Sequence, residues 1–263
     1  RRSVRFAPAA ALASCVFACT AFAPRTAAGQ VNIEVVRRRV EDKPFLATIE
    51  ASFTGRMGNI RNSVFSASAL AGFNASAHRG FVQGTLDYWE NAGVPTVARA
   101  FVHGRYNYKL GPIVFADLFG QVQSDRFQRL TYRALFGLGP RFVLFDDDDF
   151  DVNLGTSYMF EHEELNVPAG FTFPAVREAN RWNNYLSVGY RVGELTEMVA
   201  TLYVQPRLDD FGDNRMLGEA SLLLKVTKVV VARMGVLYRF QSRPPPLVVE
   251  TDLEVRNSLG LSF

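Results

Sequence analysis

The side chains in this sequence best placed to act together are arginines. Arg99, Arg105, Arg129, Arg133 and Arg141 are separated by even numbers of residues, so an extended chain sets all five on one face. Asp117 shares that spacing and is the acid set among them, while Glu250, Asp252 and Glu254 form an acidic series near the end of the chain. A ladder of this kind has two uses. In hydrated space it selects anions. Away from water it must be matched by carboxylates, because an unpaired buried charge is costly.

Other chemistries find little support. A nucleophile needs a base within reach. His78 falls in a turn, His162 near a rim and His103 among the arginines, where it can serve as a hydrogen-bonding group. No enzyme and no cofactor are expected. Three scattered histidines do not make a transition-metal site. The run DDDD at 146–149 lacks the spaced ligands and glycine of a calcium loop and reads as a solvated turn. The sequence GLGPR lies within an extended segment, so it is not a phosphate loop.

The elements that must carry the ladder are strands. In RLTYRALFGLGPRFVLF (129–145) one parity holds Leu130, Tyr132, Ala134, Phe136, Leu138, Pro140, Phe142 and Leu144, and the other holds Arg129, Thr131, Arg133, Leu135, Gly137, Gly139 and Arg141. The same alternation recurs in FDVNLGTSYMFEH, RWNNYLSVGYRV, RMLGEASLLLKV and the terminal VRNSLGLSF. Period two over more than ten residues exceeds the usual strand of about five or six residues. After residue 30 there is no apolar run of the ~18 residues that a membrane helix needs. These patterns predict strands at 44–56, 62–73, 80–89, 97–109, 113–123, 128–145, 150–163, 180–192, 196–207, 215–226, 229–240 and 248–263. Twelve is even, as a bacterial membrane barrel requires. The fold class is therefore all-β, a single antiparallel transmembrane β-barrel over 44–263. A soluble sandwich would show the same alternation with the apolar parity inward. Strand length, even count and aromatic placement favour the membrane barrel.

Aromatics on the apolar parity gather near strand ends. Tyr88, Tyr132, Tyr158, Phe160, Trp182, Tyr238 and Phe240 are expected in one girdle, with Phe45, Tyr106, Tyr108, Phe142, Tyr190 and Phe263 in the other. With the N-terminus periplasmic, the connections at KLGP, DDDD, VGEL and VTK are short periplasmic turns. NAGVPT, LNVPAGFTFPAVREA, LDDFGDN and SRPPP are then external loops. The short first loop, GRMGN, departs from this tendency.

Residues 1–29 read as an export signal: a basic RRSVRF, an apolar stretch and the small residues of RTAAGQ. The alternatives are a short membrane anchor, or a lipoprotein in which LASC makes Cys15 the lipidated residue. Both cysteines, Cys15 and Cys19, lie in this leader, so a processed chain has no disulfide chemistry. The formal charge of +3 is also local. Without Arg1, Arg2, Arg5 and Arg25 the balance is 25 basic to 26 acidic residues, and no nucleic-acid partner is implied. Residues 30–43, QVNIEVVRRRVEDK, lack strand patterning and are expected to be a periplasmic lead-in.

QVNIE after the leader, HGRYNY (103–108), FGQVQSDRFQRLTYRALFGLGPRF (119–142) and the ending TDLEVRNSLGLSF resemble a family of Gram-negative outer-membrane barrels named for salt induction. It is also called domain of unknown function family 481. The resemblance implies location and fold. It carries no established activity and transfers no catalytic residue. Outer-membrane lipids and the barrel assembly machinery are the implied partners, with small anions or solutes if the lumen conducts.

Three functions stay open from the sequence: a narrow anion-preferring channel for ions or small solutes, a non-conducting structural or envelope-stress barrel with a salt-bridged lumen, and a surface adhesin or receptor built from the external loops. The ending resembles the signal read during barrel assembly, with Phe263 anchoring the inner girdle as the last strand closes against the first. Deletion of Phe263, or Phe263→Asp, is expected to reduce the heat-modifiable folded form in outer membranes. Normal assembly of both variants would refute that role.

Overall fold

A computed structural model describes residues 34–41, 43–58, 61–193, 195–227 and 230–261. The leader at 1–29 and Phe263 lie outside the described residues. The described residues form one helix, α1 (Glu34–Glu41), and twelve strands: β1 (Phe45–Arg56), β2 (Asn62–Ala75), β3 (His78–Asn91), β4 (Val94–Lys109), β5 (Val114–Asp125), β6 (Leu130–Asp146), β7 (Phe150–Leu165), β8 (Val176–Val192), β9 (Thr196–Pro206), β10 (Asn214–Lys225), β11 (Val230–Gln241) and β12 (Thr251–Leu261). Every strand expected from alternation is present. All eleven neighbouring pairs are antiparallel, and the sheet order follows the chain from β1 to β12.

The sheet curls on itself. Leu70 of β2 and Phe81 of β3 share one buried cluster with Tyr203, Leu217 and Leu237 of β9, β10 and β11. Those strands meet only by facing one another across a lumen. Between β1 and β12 no ladder is formed among the described residues, so these two strands end the sheet. The sealing contact expected of the last strand is thus not met among them.

The two faces are inverted relative to a soluble barrel. Lumen positions include Arg105, Asp117, Gln123, Arg141, Glu163, Arg181 and Asn183, all buried. The outer face exposes Val82, Val102, Val122, Phe136, Leu154, Leu186, Leu202 and Met234. Water would penalise that outer surface, whereas hydrocarbon accepts it. Of the expected girdle residues, Tyr88, Tyr132, Tyr158, Phe160, Trp182, Tyr238, Phe45, Tyr106, Tyr108 and Tyr190 are exposed, while Phe142 and Phe240 are half-buried. Tyr158 and Trp182 sit directly opposite each other on β7 and β8, which sets them at one height. The chain is an integral membrane β-barrel.

Several sequence expectations change in detail. The NAGVPT loop contracts to a two-residue hairpin, Ala92-Gly93, with φ of 52° and 82° at its two positions. Left-handed backbone at both suits the twist of the strands it joins. Long connections remain at 166–175, 207–213 and 242–250, all on one rim, while turns on the opposite rim are short. Arg129 is not on the ladder: it closes the β5–β6 turn at φ 53°, and a bulge between Leu130 and Tyr132 then resets the parity so that Arg133 faces inward.

Inserting one epitope tag at 170 and another at 147 tests the orientation. The first is expected to be labelled on intact cells and the second only after permeabilisation. The opposite pattern would invert the barrel.

Candidate functional site

The lumen is filled in three levels. At the short-turn mouth sits α1, which places residues 34–41 inside the barrel rather than in a lead-in below it. Its sequence EVVRRRVE explains the helix, since Glu34, Arg37 and Glu41 are spaced for side-chain pairs on one face. Arg37 Nε donates to Glu34 Oε2 at 2.7 Å, and Arg37 also bonds Glu41. Apolar Val40 seats against Gly72 of β2, where even a Cβ would come within 2.6 Å of its methyl group. Arg38 crosses β8 at Gly189 to reach Asp151. A side chain at Gly72 would press on the short branched Val40 of the helix, whereas at Gly189 it would meet only the tips of Arg38 and Asp151.

The wall answers α1 with charge. Arg105 Nη1 donates to Glu34 Oε1 at 2.7 Å, and its Nε lies 3.5 Å from Asp117 Oδ1. Asn107 holds the same Asp117 oxygen at 2.8 Å. Arg79 Nη1 reaches Glu41 Oε1 at 2.8 Å, and Arg141 Nη2 approaches that oxygen at 3.4 Å. Burial by itself would raise the Glu34 carboxyl. The nearby charges of Arg37, Arg105 and Arg141 outweigh it and hold Glu34 down at about 2. Glu41 is likewise buried yet held below the usual carboxylate range by Arg37, Arg141 and Arg79.

The middle level is aromatic. His103, only 1% exposed, lies between Phe101 and Phe119, with ring centroids 6.1 and 6.2 Å away, and Phe81 at 6.0 Å. Its Nδ1 meets Gln121 Oε1 at 3.2 Å. Gly137 makes room for the Phe119 ring, which would lie 2.2 Å from any Cβ there. Tyr185 and Tyr203 pack at 5.2 Å on the facing wall. A cavity of about 40 Å³ remains here, bordered by His103, Arg105, Arg133, Glu161 and Tyr203.

The third level, toward the long loops, is again ionic. Arg133 Nε donates to Glu163 Oε1 at 2.7 Å, and Arg215 Nη2 meets both Glu163 oxygens at 2.8 Å. Glu161 lies against Arg215 and 3.4 Å from Arg181 Nε. From the loop after β9, Asp213 reaches in to Arg181 at 3.0 Å and Arg177 at 2.9 Å. Burial raises its carboxyl, but Arg181, Arg177 and Arg215 together hold it below the ordinary range.

These levels sort the expected ladder. Arg105, Asp117 and Arg141 belong to the first and Arg133 to the third, whereas Arg99 is half-buried and paired with Asp87 at 3.3 Å. Arg129 joins none of them. The carboxylates meeting Arg105, Arg133 and Arg141 come from α1, β5 and β7, not from the acidic end of the chain. Glu250 is exposed in the β11–β12 loop, Asp252 pairs with Arg239 at 3.2 Å, and Glu254 is half-buried on β12. The reason is reach: Glu163 stands opposite Arg133 on the adjacent strand, so the pair forms locally. Strand parity missed Glu34 and Glu41, whose signal was the helical spacing of their charges.

Among protein families, the profile described as "Protein of unknown function, DUF481" matches residues 49–263. The chain belongs to this family. The family's description names no activity, and no curated protein matches the chain. Of solved structures, the NanC porin in its rhombohedral crystal form is similar at a TM-score of 0.47 and 8% identity, over 83% of this chain and 99% of that one. The KdgM porin in complex with disordered oligogalacturonate gives 0.44 and 11%, over 83% and 99%. The β domain of the Bordetella autotransporter BrkA gives 0.37 and 12%, over 82% and 96%.

Removing one member of a buried ion cluster strands the others. Glu163→Gln is expected to cost the barrel about 3–5 kcal/mol, read as a lower midpoint for denaturant unfolding in detergent. A change near zero would show that water already reaches Arg133 and Arg215.

Proposed function

We propose that this protein is an outer-membrane β-barrel that does not conduct at rest, its lumen closed by its own ion pairs. One observation carries the reading: the arginines expected to line an anion path are matched by lumen carboxylates at both ends of the barrel. Between those layers a cavity of about 40 Å³ borders the aromatic level, room for water. A twelve-stranded wall is wide enough to need such filling, lying between side-chain-filled small barrels and open porins. An anion-preferring channel would require α1 and both ionic layers to rearrange together. The partners on this reading are membrane lipids and, during biogenesis, the barrel assembly machinery.

Planar-bilayer recording of the purified full-length protein tests the proposal. Wild type is expected to be silent. Anion-preferring conductance steps, weakened in Arg133→Glu, would overturn it in favour of the channel.

A further inference from the structure

From the geometry around Glu41 we infer that Arg79, Phe115 and Arg141 form a binding clamp for the carboxylate of an anionic solute entering at the short-turn mouth, and that α1 occupies it with Glu41 as a stand-in. This inference rests on the reading that the lumen is closed at rest.

The clamp is built by the wall, not by the helix. Phe115 of β5 is buried, and the guanidinium carbons of Arg79 and Arg141 lie 4.9 and 4.2 Å from its ring centroid. Stacking on an aromatic face orients both arginines and limits the freedom they would lose on binding. Asn153 Oδ1 accepts from Arg141 Nη1 at 3.0 Å and fixes it from the far side. Both arginines therefore converge on one oxygen, Oε1 of Glu41, from strands that stay in place when α1 leaves.

The occupant is a partial fit. The Nε groups of Arg79 and Arg141 are buried without a hydrogen-bond partner among the described residues, and so is Nη2 of Arg37. A planar carboxylate can take two parallel guanidinium bonds, yet Glu41 offers Arg79 and Arg141 a single oxygen. Around α1, five guanidiniums (Arg37, Arg38, Arg79, Arg105, Arg141) meet four carboxylates (Glu34, Glu41, Asp117, Asp151). Among the described residues, guanidiniums thus outnumber carboxylates at this mouth by one. An eight-residue helix is also marginal alone in water, so a free carboxylate competes with a weakly self-sustaining segment.

Citrate binding to the full-length protein in detergent, followed by calorimetry, tests the clamp. Glu41→Ala empties it and is expected to bind citrate at least about tenfold more tightly than wild type. Adding Arg79→Gln should remove that gain. With Cys15 and Cys19 replaced by alanine, Val40→Cys should be shielded from maleimide in buffer and modified several-fold faster in saturating citrate, as the helix is displaced. Heat-modifiable mobility reports folding of each variant separately, and the isosteric Glu41→Gln replaces Glu41→Ala if the latter misfolds. A folded variant that binds citrate no better than wild type would reduce the clamp to a structural lock and end the proposal. Inorganic phosphate binding as tightly as citrate would overturn the carboxylate assignment. None of these readouts depends on conductance, so a conducting wild type and a failed clamp are separate results.

Discussion

Inside a membrane barrel the lumen is the only place for charge, and charge there must be matched. Hydrocarbon outside forbids the long side chains of Arg105, Arg133, Arg141, Arg181 and Arg215 from turning outward. The lumen therefore receives them, and each finds carboxylates within hydrogen-bonding reach. Buried ion pairs are weak evidence for stability, since desolvation offsets most of the attraction, but removing one partner is strongly destabilising. The network acts more as a specification than as a source of stability. It tells each strand which neighbour to face.

That requirement accounts for α1. Without Glu34 and Glu41 the mouth would hold Arg79, Arg105 and Arg141 against Asp117 and Asp151. The helix brings Glu34 and Glu41 to those arginines together with Arg37 and Arg38, so it adds partners at the mouth without changing its charge balance. It is admitted by glycines: Gly72 and Gly189 lower the wall where Val40 and Arg38 pass. At the other end a loop does the same service, because Asp213 folds in from the β9–β10 connection to reach Arg177 and Arg181. Each end of the lumen thus holds a segment from outside the strands, α1 at one and Asp213 at the other.

Between the two ionic levels the barrel changes solvent. The aromatic layer around His103 lies between the two charge networks, and one small cavity there is bordered by Arg105 from one and Arg133 and Glu161 from the other. The imidazole sits among the rings of Phe81, Phe101 and Phe119 and meets Gln121 as its polar partner. Gly137 and Gly155 repeat the logic of the mouth, giving up side chains so that Phe119 and Tyr185 can fill the interior.

The fold was legible in the sequence because a strand's side-chain period is two and lipid enforces it at every step. The alternation of Leu, Tyr, Phe and Val against Arg, Asn, Ser and Gly located all twelve strands and their inverted faces. It also put Arg105, Asp117, Arg133 and Arg141 on the inner face, from residue parity alone. Parity fails at the strand ends: Arg129 lies in the β5–β6 turn at positive φ, before a bulge that shifts the register after Leu130, and two positive-φ residues shorten the loop to Ala92-Gly93. Parity also says nothing about what lies across the lumen. Which acid meets which arginine depends on how the sheet curls and on segments outside the strands. Only the tertiary structure could show α1 and Asp213 entering the barrel to complete the pairs.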